Sequence, residues 1–137
     1  MDVKTMKLLD EKIEKFSLPV PIRVTRFVSE EALASLFNIQ GIAGKSPKEL
    51  IKYIKNTAIG ERLSADPGYL SASLDEKANL FARRPVKLEI EVEPGTNLYM
   101  TNNYEESEVV FKRNTALKYE DSKIVGKHLV IRCRMIK

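Results

Sequence analysis

The feature that most constrains this chain is a change of texture after Gly60. Before it, apolar residues recur at helical spacing; after it, they come in short β-rich runs separated by turn residues. VKLEIEVE (86–93) and KHLVIRCRMI (127–136) largely alternate apolar with charged positions, the two-residue period of a strand with one buried face. GYLSASL (68–74), NLYM (97–100), EVVFK (108–112) and TALKYE (115–120) read as further strands, with Pro94-Gly95 and Asn114 among the turn signals between them.

In the first half, Met6, Leu9, Ile13 and Phe16 form an apolar stripe through lysines and glutamates, which predicts an amphipathic helix from about 4 to 16, ended by Pro19 and Pro21. VPIRVTRF (20–27) is β-branched and alternating and reads as a strand. Ser29 is positioned to cap a short helix running through Phe37. SPKEL (46–50) opens another, with Ser46 as N-cap, Pro47 at the first helical position and Glu49 as capping-box partner. Helices followed by strands imply an α+β domain with mainly antiparallel sheets. At 137 residues, with no linker, repeat or low-complexity tract, residues 1–137 read as a single domain.

A hydrophobic fraction of 43% against a charged fraction of 31% argues for a packed core rather than disorder. The net charge of +4 comes from 23 basic and 19 acidic residues without a long like-charged run, so no polybasic tail is present. With no tryptophan and no basic run interleaved with aromatics, a nucleic-acid partner is not expected. One cysteine, Cys133, and one histidine, His128, build neither a disulfide framework nor a Cys/His metal site, and five residues apart on a strand they face opposite ways. No stretch is apolar enough to span a membrane, and MDVKTMKLLDEKIEKF is too charged for a signal peptide.

Four polar features stand on or beside strands that otherwise favour apolar residues: Arg26, late in its strand; Ser71 and Ser73, on one face of GYLSASL; LFARRPV (80–86); and YEESEVVFKR (104–113), where Glu105, Glu106 and Glu108 crowd a strand entrance. Taken singly, each has an ordinary explanation. Arg26 and the Arg83-Arg84 pair read as solvated charge, the serines as the polar face of a half-exposed strand, and the glutamates as guards against edge pairing.

As an ordered set they resemble the Arg–Ser–Glu pattern of mono-ADP-ribosyltransferases, in particular the bacterial toxin clade of actin-modifying binary toxins and Rho-modifying exoenzymes. The elements are Ile22-Arg23-Val24-Thr25-Arg26, Gly68-Tyr69-Leu70-Ser71-Ala72-Ser73-Leu74 and Glu106-Ser107-Glu108-Val109-Val110, and the resemblance extends over about residues 20 to 136. It implies the ADP-ribosyltransferase fold, with two packed, mainly antiparallel sheets and N-terminal helices, and NAD as substrate with no metal. Two departures stand out. Ala72 replaces the middle hydroxyl residue of Ser-Thr-Ser, and the loop before Glu106 is short, with Tyr104 close to the glutamates. That loop is the part with which the family meets its protein substrate.

The chemistry suits these residue types. Breaking the nicotinamide–ribose bond passes through an oxocarbenium-like state, which a nearby carboxylate stabilises. The resemblance gives that role to Glu108, with Ser71 holding it. It gives Glu106 the acceptor, and a glutamate there goes with an arginine acceptor, whose guanidinium it can pair with and deprotonate. Two carboxylates sharing a face push one pKa upward. Arg26 is implied to contact the pyrophosphate or adjoining ribose and the main chain of Phe27 the nicotinamide amide. Ser73 belongs to the same NAD site, and Phe81 and Arg84 to a loop closing over nicotinamide and phosphate. Arg83 is the alternative phosphate contact. The expected function is transfer of ADP-ribose from NAD to a protein side chain, arginine first, by a monomer delivered into a target cell's cytosol without inserting in the membrane. The alternatives are an NAD glycohydrolase, which needs Glu108 and Ser71 but not Glu106, and a non-catalytic binding module of the same fold.

Overall fold

The structure is a computed structural model that describes residues 2–29, 31–33, 45–57, 63–65, 68–75, 84–105 and 107–136. The first helix, α1, spans Val3–Glu14, and Asp2 caps it by accepting from the Thr5 N–H at 2.7 Å. This contact holds the Asp2 carboxyl below its ordinary pKa. Ser29 caps the next helical turn as expected, accepting from Ala32 N at 3.1 Å. The remainder of that expected helix lies outside the described residues. A second long helix, α2 (Pro47–Thr57), opens on Ser46, whose Oγ accepts from Glu49 N and donates to Glu49 Oε1 at 3.0 Å. Ser46 is thus the N-cap that SPKEL predicts, and Glu49 partners it through the serine hydroxyl.

The strands are β1 (Ile22–Val28), β2 (Leu63–Ala65), β3 (Leu70–Ser73), β4 (Val86–Val92), β5 (Tyr99–Met100), β6 (Glu108–Phe111), β7 (Ala116–Val125) and β8 (His128–Ile136). They form one ladder in the order β2-β7-β8-β4-β1-β3-β6-β5. The two separate sheets expected from the resemblance are thus one hydrogen-bonded sheet, because β1 uses both of its edges. It pairs with β4 along its whole length, from Ile22↔Val92 to Val28↔Val86, but with β3 at one register position, Thr25↔Ser73. At that hinge-like junction a five-strand half meets the three-strand half β3-β6-β5.

Pairing is antiparallel except between β4 and β8, which run parallel. NLYM yields only the two-residue β5, because Asn97 instead bridges Ser17 and Leu98 N donates to Phe16 O. TALKYE extends into a ten-residue β7 that stays paired with β8 through the hairpin, past an irregularity between Tyr119 and Asp121. Pro94-Gly95 turns as expected; Gly95 sits at φ +88°, where a side chain would be strained.

Both halves of the sheet share one core. Val24, Val28, Leu88, Ile90, Leu129, Ile131 and Cys133 meet Leu70, Ala72, Val109 and Phe111, with Leu33 and Leu50 packed on from the helical segments. Burial pushes the Cys133 thiol up to about 12, so it is inert at neutral pH. His128, on the other face, stacks on Phe27 at 5.3 Å. The helix α1 lies against the three-strand half. Tyr69 donates from its hydroxyl to Asp10 Oδ1 (2.6 Å), Asp10 Oδ2 accepts from Arg113 (2.8 Å), and Lys12 stands over the Tyr99 ring. Partial burial and the Asp10 carboxylate together raise the Tyr69 phenol above its ordinary pKa. Among the described residues no helix is long and apolar enough to cross a membrane.

Candidate active site

The site is built where three strands stop. The last residue of β3, Ser73, stands opposite the first residue of β6, Glu108, and opposite Thr25 of β1. Residues directly opposite in an antiparallel pair share a face, so Thr25, Ser73 and Glu108 form a row across the sheet. Ser71 lies on the same face by the two-residue period. Its neighbours Leu70 and Ala72, like Val109 and Phe111, point the other way into the core. The polar face of GYLSASL is therefore the price of keeping hydroxyls beside Glu108.

Both oxygens of the Glu108 carboxylate are held. Ser71 Oγ donates to Oε2 at 2.6 Å, as the resemblance implies, and Thr101 Oγ1 donates to Oε1 at 2.8 Å. Thr101 was not legible as a functional residue. It extends the β5–β6 register one step past Met100↔Val109, with its N–H donating to Glu108 O at 3.1 Å. No residue-type pattern in TNNYEESE announces that register. Ser73 Oγ closes a turn with Asp75, donating to its carbonyl and accepting from its N–H, each at 3.0 Å.

Ser107, the residue before Glu108, has φ +45°, a left-handed conformation that costs a non-glycine residue free energy. Its carbonyl accepts from Leu74 N at 3.0 Å, which pins the loop to the end of β3. Ser107 thus departs from the extended backbone of β6. Glu106, Arg83 and Phe81 lie outside the described residues.

In β1, Arg23 is taken up by Glu91 at 2.7 Å and Glu89 at 3.8 Å, so it serves the outer face of the five-strand half. Arg26 is half-buried, and alternation turns it to the side of Val24 and Val28. It stands between Thr25, the residue paired with Ser73, and Phe27, whose carbonyl accepts from Arg84 Nη1 at 3.3 Å. The structure thus joins Ser71 to Glu108 and Arg84 to Phe27, sets Ser73 opposite Glu108, and places Arg26 in the strand linking the two groups. Thr25 is 3% exposed and its Oγ1 has no hydrogen-bond partner among the described residues. Around the mouth, Tyr104 (81% exposed), Met100 and Leu74 present apolar surface. Among the described residues, no cluster of three or more His, Cys, Asp or Glu side chains could hold a metal.

Solved structures share this arrangement of strands and helices. Plx2a, an ADP-ribosyltransferase toxin from Paenibacillus larvae, superposes with a TM-score of 0.82 at 23% identity, over 98% of this chain and 70% of that one. C3stau2 from S. aureus, solved with NAD, gives 0.80 at 22% identity over 98% and 70%. C3larvin, an ADP-ribosyltransferase toxin also from P. larvae, gives 0.76 at 25% identity over 98% and 76%. No curated protein sequence matches. The fold is that of the ADP-ribosyltransferases, α+β with few helices. The model of the ADP-ribosyltransferase exoenzyme family matches residues 2–136, and the chain belongs to that family. It is an NAD-dependent protein ADP-ribosyltransferase.

Proposed function

We propose that the chain transfers ADP-ribose from NAD to an arginine side chain of a protein in a target cell, with Glu108 as the catalytic carboxylate. The observation that carries this reading is the fixed Glu108 carboxylate, with a hydroxyl donor on each oxygen at the end of β6. As the nicotinamide–ribose bond breaks, positive charge develops on the ribose. A carboxylate already oriented stabilises that charge without reorganising as the reaction proceeds. Each Glu108 oxygen retains a lone pair with which to accept from a ribose hydroxyl. Arg26 and Arg84 are the cations for the pyrophosphate, and a guanidinium fork matches phosphate oxygens in geometry as well as charge. The main chain of Phe27 takes the nicotinamide amide, displacing Arg84 from its carbonyl; Ser73 and Phe81 complete the NAD site.

Arginine as acceptor rests on Glu106. A protonated guanidinium is a poor nucleophile, and a carboxylate beside it both binds it and accepts its proton. The acceptor approaches over the loop bearing Tyr104. The test is labelled NAD with a cell lysate, comparing wild type with Glu106→Gln. Wild type is expected to place label on protein arginine. The variant is expected to lose transfer while still releasing nicotinamide, since hydrolysis needs Glu108 and Ser71 but not Glu106. Free ADP-ribose without labelled protein from the wild-type chain would leave the glycohydrolase reading in its place. Equal loss of both activities in Glu106→Gln would overturn the division of roles between the two glutamates.

A further inference from the structure

We infer that Thr101 is a positioning residue for the catalytic carboxylate, and that it makes the acceptor-side loop and Glu108 a single hydrogen-bonded unit. The inference rests on Glu108 being the catalytic carboxylate. It shares with that reading the Thr101–Glu108 bond and adds the hydrogen bonds that orient the Thr101 hydroxyl.

A lone hydroxyl can rotate, and a rotating donor orients nothing. The Thr101 hydroxyl is not free to do so. Asn103 N–H donates into Thr101 Oγ1 at 3.1 Å and occupies one lone pair, while the hydroxyl proton goes to Glu108 Oε1 at 2.8 Å. The main chain completes a ring around the same residues: Thr101 N donates to Glu108 O (3.1 Å), and Glu108 N donates to Asn103 O (3.3 Å). Tyr104 N in turn donates to Asn102 O, and Ser107 N to Tyr104 O, so each described residue from Thr101 to Glu108 except Glu105 has a bond in this loop. Ser71 restrains Oε2 from β3 and Thr101 restrains Oε1 from the β5 side. One donor leaves the carboxylate able to swing about its own side-chain bonds; two donors from opposite neighbouring strands fix its plane. A shift of the loop by a docking protein moves Asn103, and Asn103 is what aims the Thr101 hydroxyl.

This assigns Thr101 an effect on bond cleavage itself, and hydrolysis of NAD without any protein acceptor separates that from a role confined to the loop. Thr101→Val keeps the shape and removes the hydroxyl, and Thr101→Ala serves if valine perturbs the hairpin; circular dichroism and thermal melts check that either folds. The expected result is a fall in kcat for acceptor-free hydrolysis of roughly tenfold to a hundredfold, the loss of an oriented bond to a charged group, with KM for NAD little changed. Thr101→Ser, which keeps the hydroxyl, should recover most of that loss. Wild-type hydrolysis in Thr101→Val alongside a dead Glu108→Gln would overturn the inference and leave Glu108 in place. So would a defect seen only as a higher KM for the protein acceptor, which marks a loop role alone. Hydrolysis surviving in Glu108→Gln as well would overturn the assignment of Glu108, and the inference with it.

Discussion

Removing the Ser71 hydroxyl tests whether that residue acts through Glu108 or by some other route. The Ser71 Oγ to Glu108 Oε2 distance of 2.6 Å is at the short end expected for a hydroxyl donating to an ionised carboxylate. Net, such a bond is worth about 1.5–3 kcal/mol, against about 1 kcal/mol when neither partner is charged. If it holds the carboxylate in the geometry that bond cleavage needs, Ser71→Ala should slow kcat by about 10- to 150-fold. In a Glu108→Gln background the charge is already gone, and the same serine deletion should cost about fivefold or less. The coupling energy across the double-mutant cycle is then about 0.5–2 kcal/mol. The assay is single-turnover release of nicotinamide at saturating NAD for wild type, both single variants and the double variant. A serine deletion as costly in the glutamine background as in wild type would refute the reasoning, because Ser71 would then be acting elsewhere, as on NAD itself.

Two further outcomes follow from buried groups. Thr25→Val replaces a buried hydroxyl, unpartnered among the described residues, with a methyl of the same shape, and should stabilise the fold by about 1–2 kcal/mol, raising Tm by several degrees. A urea melt showing destabilisation would mean the hydroxyl has a partner in solution. The Cys133 thiol, ordinarily near 9.0, is held at about 12 by burial. Between those values the unfolded chain has lost its thiol proton and the folded chain keeps it, so stability falls as pH rises, by up to roughly 4 kcal/mol across the window. The buried Tyr119 phenol, raised from 10.0, adds the same sign at higher pH. Cys133→Ala should therefore flatten the stability profile from pH 9 to 10 once its constant cavity cost is subtracted, and an unchanged slope in urea melts at several pH values would contradict the burial argument.

Much of this molecule is written in short-range patterns. The caps at Ser29 and Ser46, the turns at Gly95 and Asn114, and the alternation in β4 and β8 follow from a few adjacent residues, and the structure has them. The link between Ser71 and Glu108 was legible for another reason: the resemblance to the Arg–Ser–Glu pattern of the family implies it. What was not legible depends on register between distant segments. The parallel pairing of β4 with β8, the single contact of β1 with β3, and Thr101 opposite Glu108 each need the pairing to be known first. The expectation for Glu106 falls on a residue outside the described ones. Its neighbour Ser107, at φ +45°, breaks the run of extended backbone that leads into β6.

That break also explains why the glutamate cluster is tolerable at a strand entrance. A ladder of β3, β5 and β6 that continued past Ser73, Met100 and Glu108 would have to bury or solvate all three glutamates in register. Ending the strands there leaves backbone groups to be satisfied, and the loop satisfies them locally: Leu74 N to Ser107 O, Thr101 N to Glu108 O, Glu108 N to Asn103 O. The residues that could have covered this end with apolar side chains are instead Ser71, Ser73 and Thr101, while Leu70, Ala72, Val109 and Phe111 on the reverse face maintain the core. Packing on one face thus supports a polar constellation on the other, and the strained turn at Ser107 is affordable because the adjoining strands are already fixed by that core. The Glu108 carboxylate is held at the strand ends by hydroxyls, and its rigidity comes from the apolar layer one residue away.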